Sequence, residues 1–384
     1  MNRNESTYLN NAATSYPKPD VVLRAVAQTL ARPPQEPGRT GASTDPLTHC
    51  RKSLAALLGV ENPFHVVLLP SATHALNHAI LGLLSSGDHA ISTDLEHNSV
   101  LRPLAHASRE RGVKVDIVPA GSNGRVSATD IARVLKSTTR VIVMTHASNV
   151  TGVAQPLDEV ATLAARRGVF LVVDCAQSAG VLDICYRDLP GRVFLAVAGH
   201  KGLGGPAGTG ALVVPDDQLP QTIFGGTGIH SEHEEHPADL PLRHEAGTPN
   251  LSGLDGLAAG ACWVSEQSVD RLGQNRAVLV RALRSGLADL GRSIVTYPRD
   301  ASLTDEDARC GVVSFVVEGH EPGEIGFILR EAFAIEVRTG LHCAPLIHNG
   351  LGTVSKGTVR ASFGAFNTLK DVDRLVQAVA EVAK

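Results

Sequence analysis

The stretch AVAGHKGLGGPAGTG (196–210) ends an apolar run on His200 and Lys201 and then opens into a glycine-rich loop. Upstream, VVDCAQSAG (172–180) ends a second apolar run on Asp174, with Gln177 three residues further on. Working outward, HVVLLP (65–70), HAIST (89–93), RVIVMTH (140–146), VFLVVD (169–174), RVFLAVAG (192–199) and GALVVP (210–215) all read as strands. Between them, 73–87 reads as a helix ending at Gly87, and 98–111, 127–136 and 157–167 read as further helices. Near-continuous apolar strands alternating with helices predict an α/β fold whose mostly parallel sheet is covered on both faces. Such sheets bind ligands beyond the carboxyl ends of their strands. Asn149, Asp174 and Lys201 fall there.

From about residue 257 the texture changes. A long helix-like region (257–290) precedes strands at 293–297, 311–319, 335–340 and 357–363, with helices at 322–333 and 369–383. This predicts a smaller α+β domain made of 257–384 together with 1–19, beside a large α/β domain over 20–256. The segment 31–46, rich in Pro, Arg, Gly and Thr, reads as a mobile loop. The 384 residues are 43% hydrophobic and 19% charged, with a formal net charge of -4 and only 4% aromatic residues. That balance gives no footprint for nucleic acid or membrane binding, and no run is long enough to span a bilayer. The polar N-terminal stretch lacks the apolar core of a signal peptide. Six cysteines without a CxxC pair make no disulfide framework; a cytoplasmic location with reduced thiols is expected.

Lys201, Asp174, His97 (in DLEHNSV, 94–100) and Arg360 (in TVRASF, 358–363) form a set that resembles the class V aminotransferase family, the fold-type I enzymes that use pyridoxal 5'-phosphate (PLP). The resemblance runs from YLNNAATSYPKP (8–19) to FNTLKDVDRLVQAV (366–379). VRTGLHCAP (337–345) narrows it to the cysteine desulfurases and selenocysteine lyases with a short cysteine loop. A lysine by itself is ordinarily a solvated charge, and a cysteine a small buried hydrophobe; the family pattern gives these two a role.

The resemblance implies the following site. Lys201 binds the cofactor's aldehyde, and Asp174 keeps the pyridine nitrogen protonated. Gln177 and Asn149 face the phenolic oxygen, with Asn149 also near the substrate. His97 stacks on the ring and is a candidate proton shuttle, since histidine ordinarily titrates near neutrality. The phosphate rests on Ala72 and Thr73 at a helix N-terminus, with His200 as a further donor. Gly247 and Thr248, in HEAGTPN (244–250), reach the phosphate of a partner subunit, which implies a homodimer with shared sites. Where relatives carry Ser or Thr two residues before the histidine of the GHK motif, this chain has Ala198; weaker cofactor retention or a compensating donor is expected. Arg360 clamps the substrate carboxylate, Arg338 is a second substrate-binding candidate, and Cys343 is the nucleophile that takes sulfur, its thiolate favoured by His342 or Arg338.

The implied function is a cysteine desulfurase that converts L-cysteine to L-alanine and passes sulfur through a Cys343 persulfide to an acceptor. The alternatives are a C–S or C–Se β-lyase, in which Cys343 is dispensable, and a PLP-binding scaffold without turnover. His230, His233 and His236 recur every three residues, but their segment (225–241) reads as a lid or dimer loop, and no metal is expected. Cys50, Cys175, Cys185, Cys262 and Cys310 read as packing residues.

Overall fold

Along the central strands, successive residues are buried on opposite faces. Val67, Val141, Val143 and Val172 face one apolar layer, and Leu68, Ile142, Leu171 and Val173 face the other. A strand buried on both sides has no solvent face to mark with polar residues, so its sequence reads as a continuous apolar run.

The computed structural model describes residues 6–33, 45–216, 218–229, 232–299 and 303–383. Its strands are β1 (Thr7–Tyr8), β2 (Val66–Leu69), β3 (His89–Thr93), β4 (Lys114–Val118), β5 (Thr139–Thr145), β6 (Phe170–Asp174), β7 (Val193–Ala198), β8 (Gly210–Val213), β9 (Ile294–Tyr297), β10 (Val312–Val317), β11 (Ile335–Glu336), β12 (Arg338–Gly340) and β13 (Thr358–Ser362). The helices through the first two-thirds are α1 (Asp20–Leu30), α2 (Pro46–Leu58), α3 (Ala72–Leu83), α4 (Asn98–Arg111), α5 (Ala128–Val134), α6 (Leu157–Arg167) and α7 (Leu251–Gln267). They are followed by α8 (Val269–Asp289), α9 (Asp305–Arg309), α10 (Pro322–Phe333), α11 (Ile347–Leu351) and α12 (Leu369–Val382).

The large sheet has the order β2-β8-β7-β6-β5-β3-β4. All its pairings are parallel except those of β8, which runs against both β2 and β7. Helices α3 and α4 cover one face through Leu76, Ile80, Val100 and Leu104. Helices α2, α6 and α7 cover the other through Leu54, Val160 and Leu257. The expected α/β fold is therefore present. A four-stranded antiparallel sheet, β12-β13-β10-β9, builds a separate core with α8, α10 and α12. Leu9, from the N-terminal stretch, is buried in that core, and its backbone bonds Glu336 and Ser362.

Several local expectations change. The helix read over 73–87 ends at Leu83, because Leu84 turns extended and the Asp88 carboxylate takes the Ser85 N–H at 2.7 Å. The region 257–290 is two helices. Ser268, at φ 68, ends α7 and caps α8 by accepting the Arg271 N–H. IEVRTG splits at Val337, with β11 pairing β1 and β12 pairing β13. Of the expected loop at 31–46, residues 34–44 lie outside the described residues, and Pro46 opens α2 under an Asp45 cap. Among the described residues no helix is long and apolar enough to cross a membrane. Cys185, expected in packing, is exposed: it stands in the loop before a short 3₁₀ turn at Tyr186–Asp188.

Candidate active site

The carboxyl ends of the parallel strands carry the polar groups. In order across the sheet come Ser71 after β2, Ala198 ending β7, Asp174 ending β6, Thr145 ending β5 and Thr93 ending β3. Gly210 of β8 stands between Ser71 and Val197. A Cβ there would lie 2.7 Å from both the Ser71 carbonyl carbon and the Val197 oxygen, so only glycine lets the α3 N-terminus approach this closely. Ser71 caps α3 by accepting the His74 N–H at 3.2 Å. The first two N–H groups, of Ala72 and Thr73, have no partner within the helix. Two such N–H groups at a helix N-terminus suit an anion, the place where the sequence reading puts the phosphate.

Asp174 is 5% exposed, and its carboxylate accepts the Ala176 N–H at 2.9 Å. Burial pushes its pKa up, while that hydrogen bond and Lys201 pull it down. The Lys201 amine makes no hydrogen bond or ion pair with another described residue. Burial above all lowers its amine to about 8; Asp174 and Cys343 act upward on it, and Arg360 and Arg338 downward. Each of these four groups lies near enough to act on the Lys201 charge, so the five residues converge.

His97 caps α4 with its ring: Nδ1 accepts the Ser99 N–H at 3.0 Å, so the proton sits on Nε2. Burial first, then Lys201, Arg338, Arg102 and Arg360, lower its pKa to about 4. The expectation of a histidine titrating near neutrality is thereby corrected; His97 is a neutral ring of fixed tautomer. His200 is likewise lowered to about 4, by burial and then by Lys201 and Lys18. Its carbonyl accepts the Ser15 N–H and the Lys18 ammonium, which folds the N-terminal segment over the site. Gln177 lines a small cavity of about 60 Å³ together with Lys201, and its amide donates to the Ala12 carbonyl at 2.9 Å.

Arg338 and Arg360 sit directly opposite each other on β12 and β13. Like charges in that register repel. The Arg338 guanidinium donates to Cys343 Sγ at 3.0 Å. The other arginine, Arg360, is fully buried. It donates to the Asn149 carbonyl at 2.8 Å and weakly to Asn10 Oδ1 at 3.4 Å, and its Nε has no partner. A buried guanidinium with a free N–H suits a carboxylate.

The cysteine loop is pinned on both sides of the sulfur. Asn149 Nδ2 donates to the His342 carbonyl at 2.8 Å, and the Asn98 N–H at the start of α4 donates to the Cys343 carbonyl at 2.7 Å. His342 and Cys343 both adopt left-handed backbone, at φ 52 and 60. The His342 ring is buried against Thr358 Oγ1 at 2.9 Å. Of the two groups expected to support the thiolate, then, Arg338 reaches it and His342 is spent on the interior. Arg338, expected on substrate, is engaged with the sulfur. A cleft of about 520 Å³ opens between α3 and α4, lined by Thr73, Asn77, His97, Ser99, Arg102 and Cys343.

Gly247 and Thr248 stay outside this constellation. Both are exposed, and the Gly247 N–H bonds Gly226. Their segment is anchored two residues earlier, where Arg51 holds Glu245 by two bonds of 2.5 Å. His230 lies outside the described residues, and among those described no group of three or more His, Cys, Asp or Glu is placed to hold a metal.

Two residues escaped the sequence reading. Glu96 is fully buried and accepts from Thr93 Oγ1 at 2.6 Å and the Thr145 N–H at 2.9 Å, tying the ends of β3 and β5 beneath His97. Burial raises its pKa to about 8. Ser99 touches both His97 Nδ1 and Thr73 Oγ1 at 2.8 Å. The only signal for either was adjacency to His97.

Tested against PLP, the residues fit. An unpartnered, half-buried amine, a buried carboxylate, a flat neutral ring and free N–H groups at a helix N-terminus together match an aldehyde, a pyridine nitrogen, a π-face and a phosphate.

The family description Aminotransferase class-V matches residues 7–375. A probable cysteine desulfurase of Pyrococcus abyssi is 31% identical over 99% of this chain and 95% of its own length. The apo structure of a cysteine desulfurase from Thermococcus onnurineus superposes with a TM-score of 0.89 at 30% identity, covering 99% of this chain and 95% of that one. The cysteine desulfurase CsdA of Escherichia coli, solved as an S-sulfonic acid, gives 0.87 at 26% identity, with the same two coverages of 99% and 95%.

Proposed function

We infer that this chain, which belongs to the class-V aminotransferase family, is a PLP-dependent cysteine desulfurase that carries sulfur as a persulfide on Cys343. The observation that carries the reading is the placement of Cys343 Sγ on Arg338, opposite Arg360 and beside Lys201. An ordinary aminotransferase has no use for a sulfur nucleophile at that point.

The bound cofactor would supply an electron sink for the bonds broken at the substrate's Cα and Cβ. Lys201 would hold it, and Asp174 would keep its ring nitrogen protonated. Gln177 and Asn149 would face its phenolic oxygen, and Ala72, Thr73 and His200 its phosphate. Arg360 grips the carboxylate of L-cysteine and so points the substrate sulfur at Cys343. With its pKa near 8 instead of 10.5, about a tenth of the Lys201 amine is free at pH 7, and that free amine can take the Cα proton. His97 covers the site as a neutral ring. The Cys343 thiolate then attacks the substrate sulfur. An S–S bond forms, the Cβ–S bond breaks, and its electron pair stays with Cβ, which takes up a proton to become the methyl group of alanine. A second thiol, free or on an acceptor protein, removes the outer sulfur. The need to return Cys343 to a thiol supports a reducing, cytoplasmic setting. The exposed Gly247 and Thr248 support a homodimer in which each segment completes the partner's phosphate site.

The test is to incubate the chain with L-cysteine and a reducing thiol and to measure alanine against pyruvate, for wild type and Cys343→Ala. Alanine with sulfide, lost in the variant, is expected. Pyruvate, or turnover indifferent to the variant, would replace this reading with a C–S β-lyase.

A further inference from the structure

Ala198 ends β7 with a methyl group at the point in the strand row that faces the α3 N-terminus across Gly210. Its side chain offers no hydrogen-bond donor there, and the donors of the anion cradle beside it are the Ala72 and Thr73 N–H groups and the Thr73 hydroxyl, with His200 and a partner subunit's segment as the further ones proposed above. A dianionic phosphate is under-served by so few donors.

Ser99 stands on the opposite wall of the same cleft. Its hydroxyl lies 2.8 Å from Thr73 Oγ1 and 2.8 Å from His97 Nδ1. That ring nitrogen has one in-plane lone pair, and the Ser99 backbone N–H already occupies it at 3.0 Å. The hydroxyl shares that lone pair, so it can turn to another acceptor without leaving Nδ1 unpartnered. Ser99 and Thr73 together bring two hydroxyls to the mouth of two free N–H groups, where each can turn to an anion, and Ser99 is half-exposed to the cleft.

We propose that Ser99 is a phosphate-binding residue of the cofactor site and replaces the hydroxyl that Ala198 lacks. The proposal rests on the PLP reading above. It also gives the α4 N-terminus a double duty: the residue whose N–H fixes the tautomer of His97 holds the phosphate with its side chain. Ring and phosphate are thereby positioned by one helical turn.

The test compares PLP with pyridoxal, which lacks the phosphate, on chain stripped of cofactor, with binding followed by absorbance and fluorescence. Ser99→Ala is expected to weaken PLP roughly ten- to a hundredfold, the range for a hydrogen bond to a charged group, and to leave pyridoxal affinity unchanged. Ser99→Thr keeps the hydroxyl and should keep the wild-type ratio. Adding Ala198→Ser to Ser99→Ala should restore most of the ratio. If Ser99→Ala weakens both forms equally, or neither, the residue is structural and the proposal fails. If Ala198→Ser restores nothing, the exchange of one hydroxyl for the other is refuted. A wild-type chain that takes up neither form removes the cofactor reading itself, and this inference with it.

Discussion

Replacing Arg360 by methionine should make the chain more stable and nearly inactive. Arg360 is fully buried, and its cationic form is opposed by burial first and by Arg338 next, which brings its pKa from 12.5 to about 9. At 1.36 kcal/mol per pH unit, a gap of 12.5 − 9 corresponds to roughly 5 kcal/mol of destabilisation on folding. Because the folded value lies below the unfolded one, this cost is present in full at every pH below about 9 and fades only as pH climbs toward 12.5. Methionine removes the charge and fills a comparable volume. Against the gain stands the Asn149 carbonyl, which loses its 2.8 Å donor at about 1–3 kcal/mol. The net is a gain of about 2–4 kcal/mol in the cofactor-free chain, in line with buried charges that give way to apolar residues. Function moves the other way. Two charge-assisted bonds to the substrate carboxylate, at about 1.5–3 kcal/mol each, amount to roughly a 10²- to 10⁴-fold loss in kcat/KM for alanine formation. Denaturant titration of the stripped chain and steady-state kinetics of the loaded one read the two halves separately. A variant less stable than wild type would refute the account of Arg360 as a strained cation held for substrate.

Three further outcomes follow from local geometry. The Lys201 amine, lowered to about 8 mainly by burial, should capture PLP with a rate that rises through a midpoint near pH 8; a midpoint near 10.5, seen by stopped-flow absorbance, would contradict the site as described. Arg51→Ala leaves the partly buried Glu245 with only the Leu68 N–H at 2.6 Å, and should cost about 3 kcal/mol in denaturant titration; a loss below about 1 kcal/mol would mark the pair as a surface contact. Ala334 ends α10 at φ 55, so Ala334→Gly should stabilise by about 1 kcal/mol with turnover unchanged; a loss of stability would mean that the methyl group is a packing contact worth more than the backbone strain.

The sequence disclosed what depends on pattern along the chain and hid what depends on register and facing. The helices 98–111, 157–167 and 322–333 have the expected bounds, because Gly112, Gly168 and Ala334 end them in left-handed backbone and apolar periodicity fills them. Strand β4 was missed because it is an edge strand with exposed Lys114, so it lacks the apolar run that marked its neighbours. Helices α1 and α2 flank the Pro- and Gly-rich segment whose composition masked them. In the site, the residue types announced themselves, but their uses did not. That Arg338 serves the sulfur and Arg360 is left for the carboxylate follows from a cross-strand register no single-chain pattern encodes. The neutral state of His97 comes from burial first and then from four cations that converge from separate elements, and its tautomer from a backbone N–H.

That register also predicts how the two arginines combine. Arg338 and Arg360 face each other directly, and Arg338 is the first charge that opposes the cation on Arg360. Removing either one abolishes the whole of their mutual repulsion, so each single variant already collects that gain. The double variant, Arg338→Met with Arg360→Met, cannot collect it twice. Its stability should therefore fall short of the sum of the single effects by the repulsion itself, roughly 0.5–3 kcal/mol for contacting residues. Denaturant titration of the four cofactor-free proteins closes the cycle, and the shortfall should shrink as salt is raised only to the extent that solvent reaches the pair. Effects that add within about 0.3–0.5 kcal/mol would mean that Arg338, turned to the Cys343 sulfur, does not act on Arg360. Arg360 would then be strained by burial alone, and the substrate carboxylate would be drawn in by one free guanidinium rather than by the field of two.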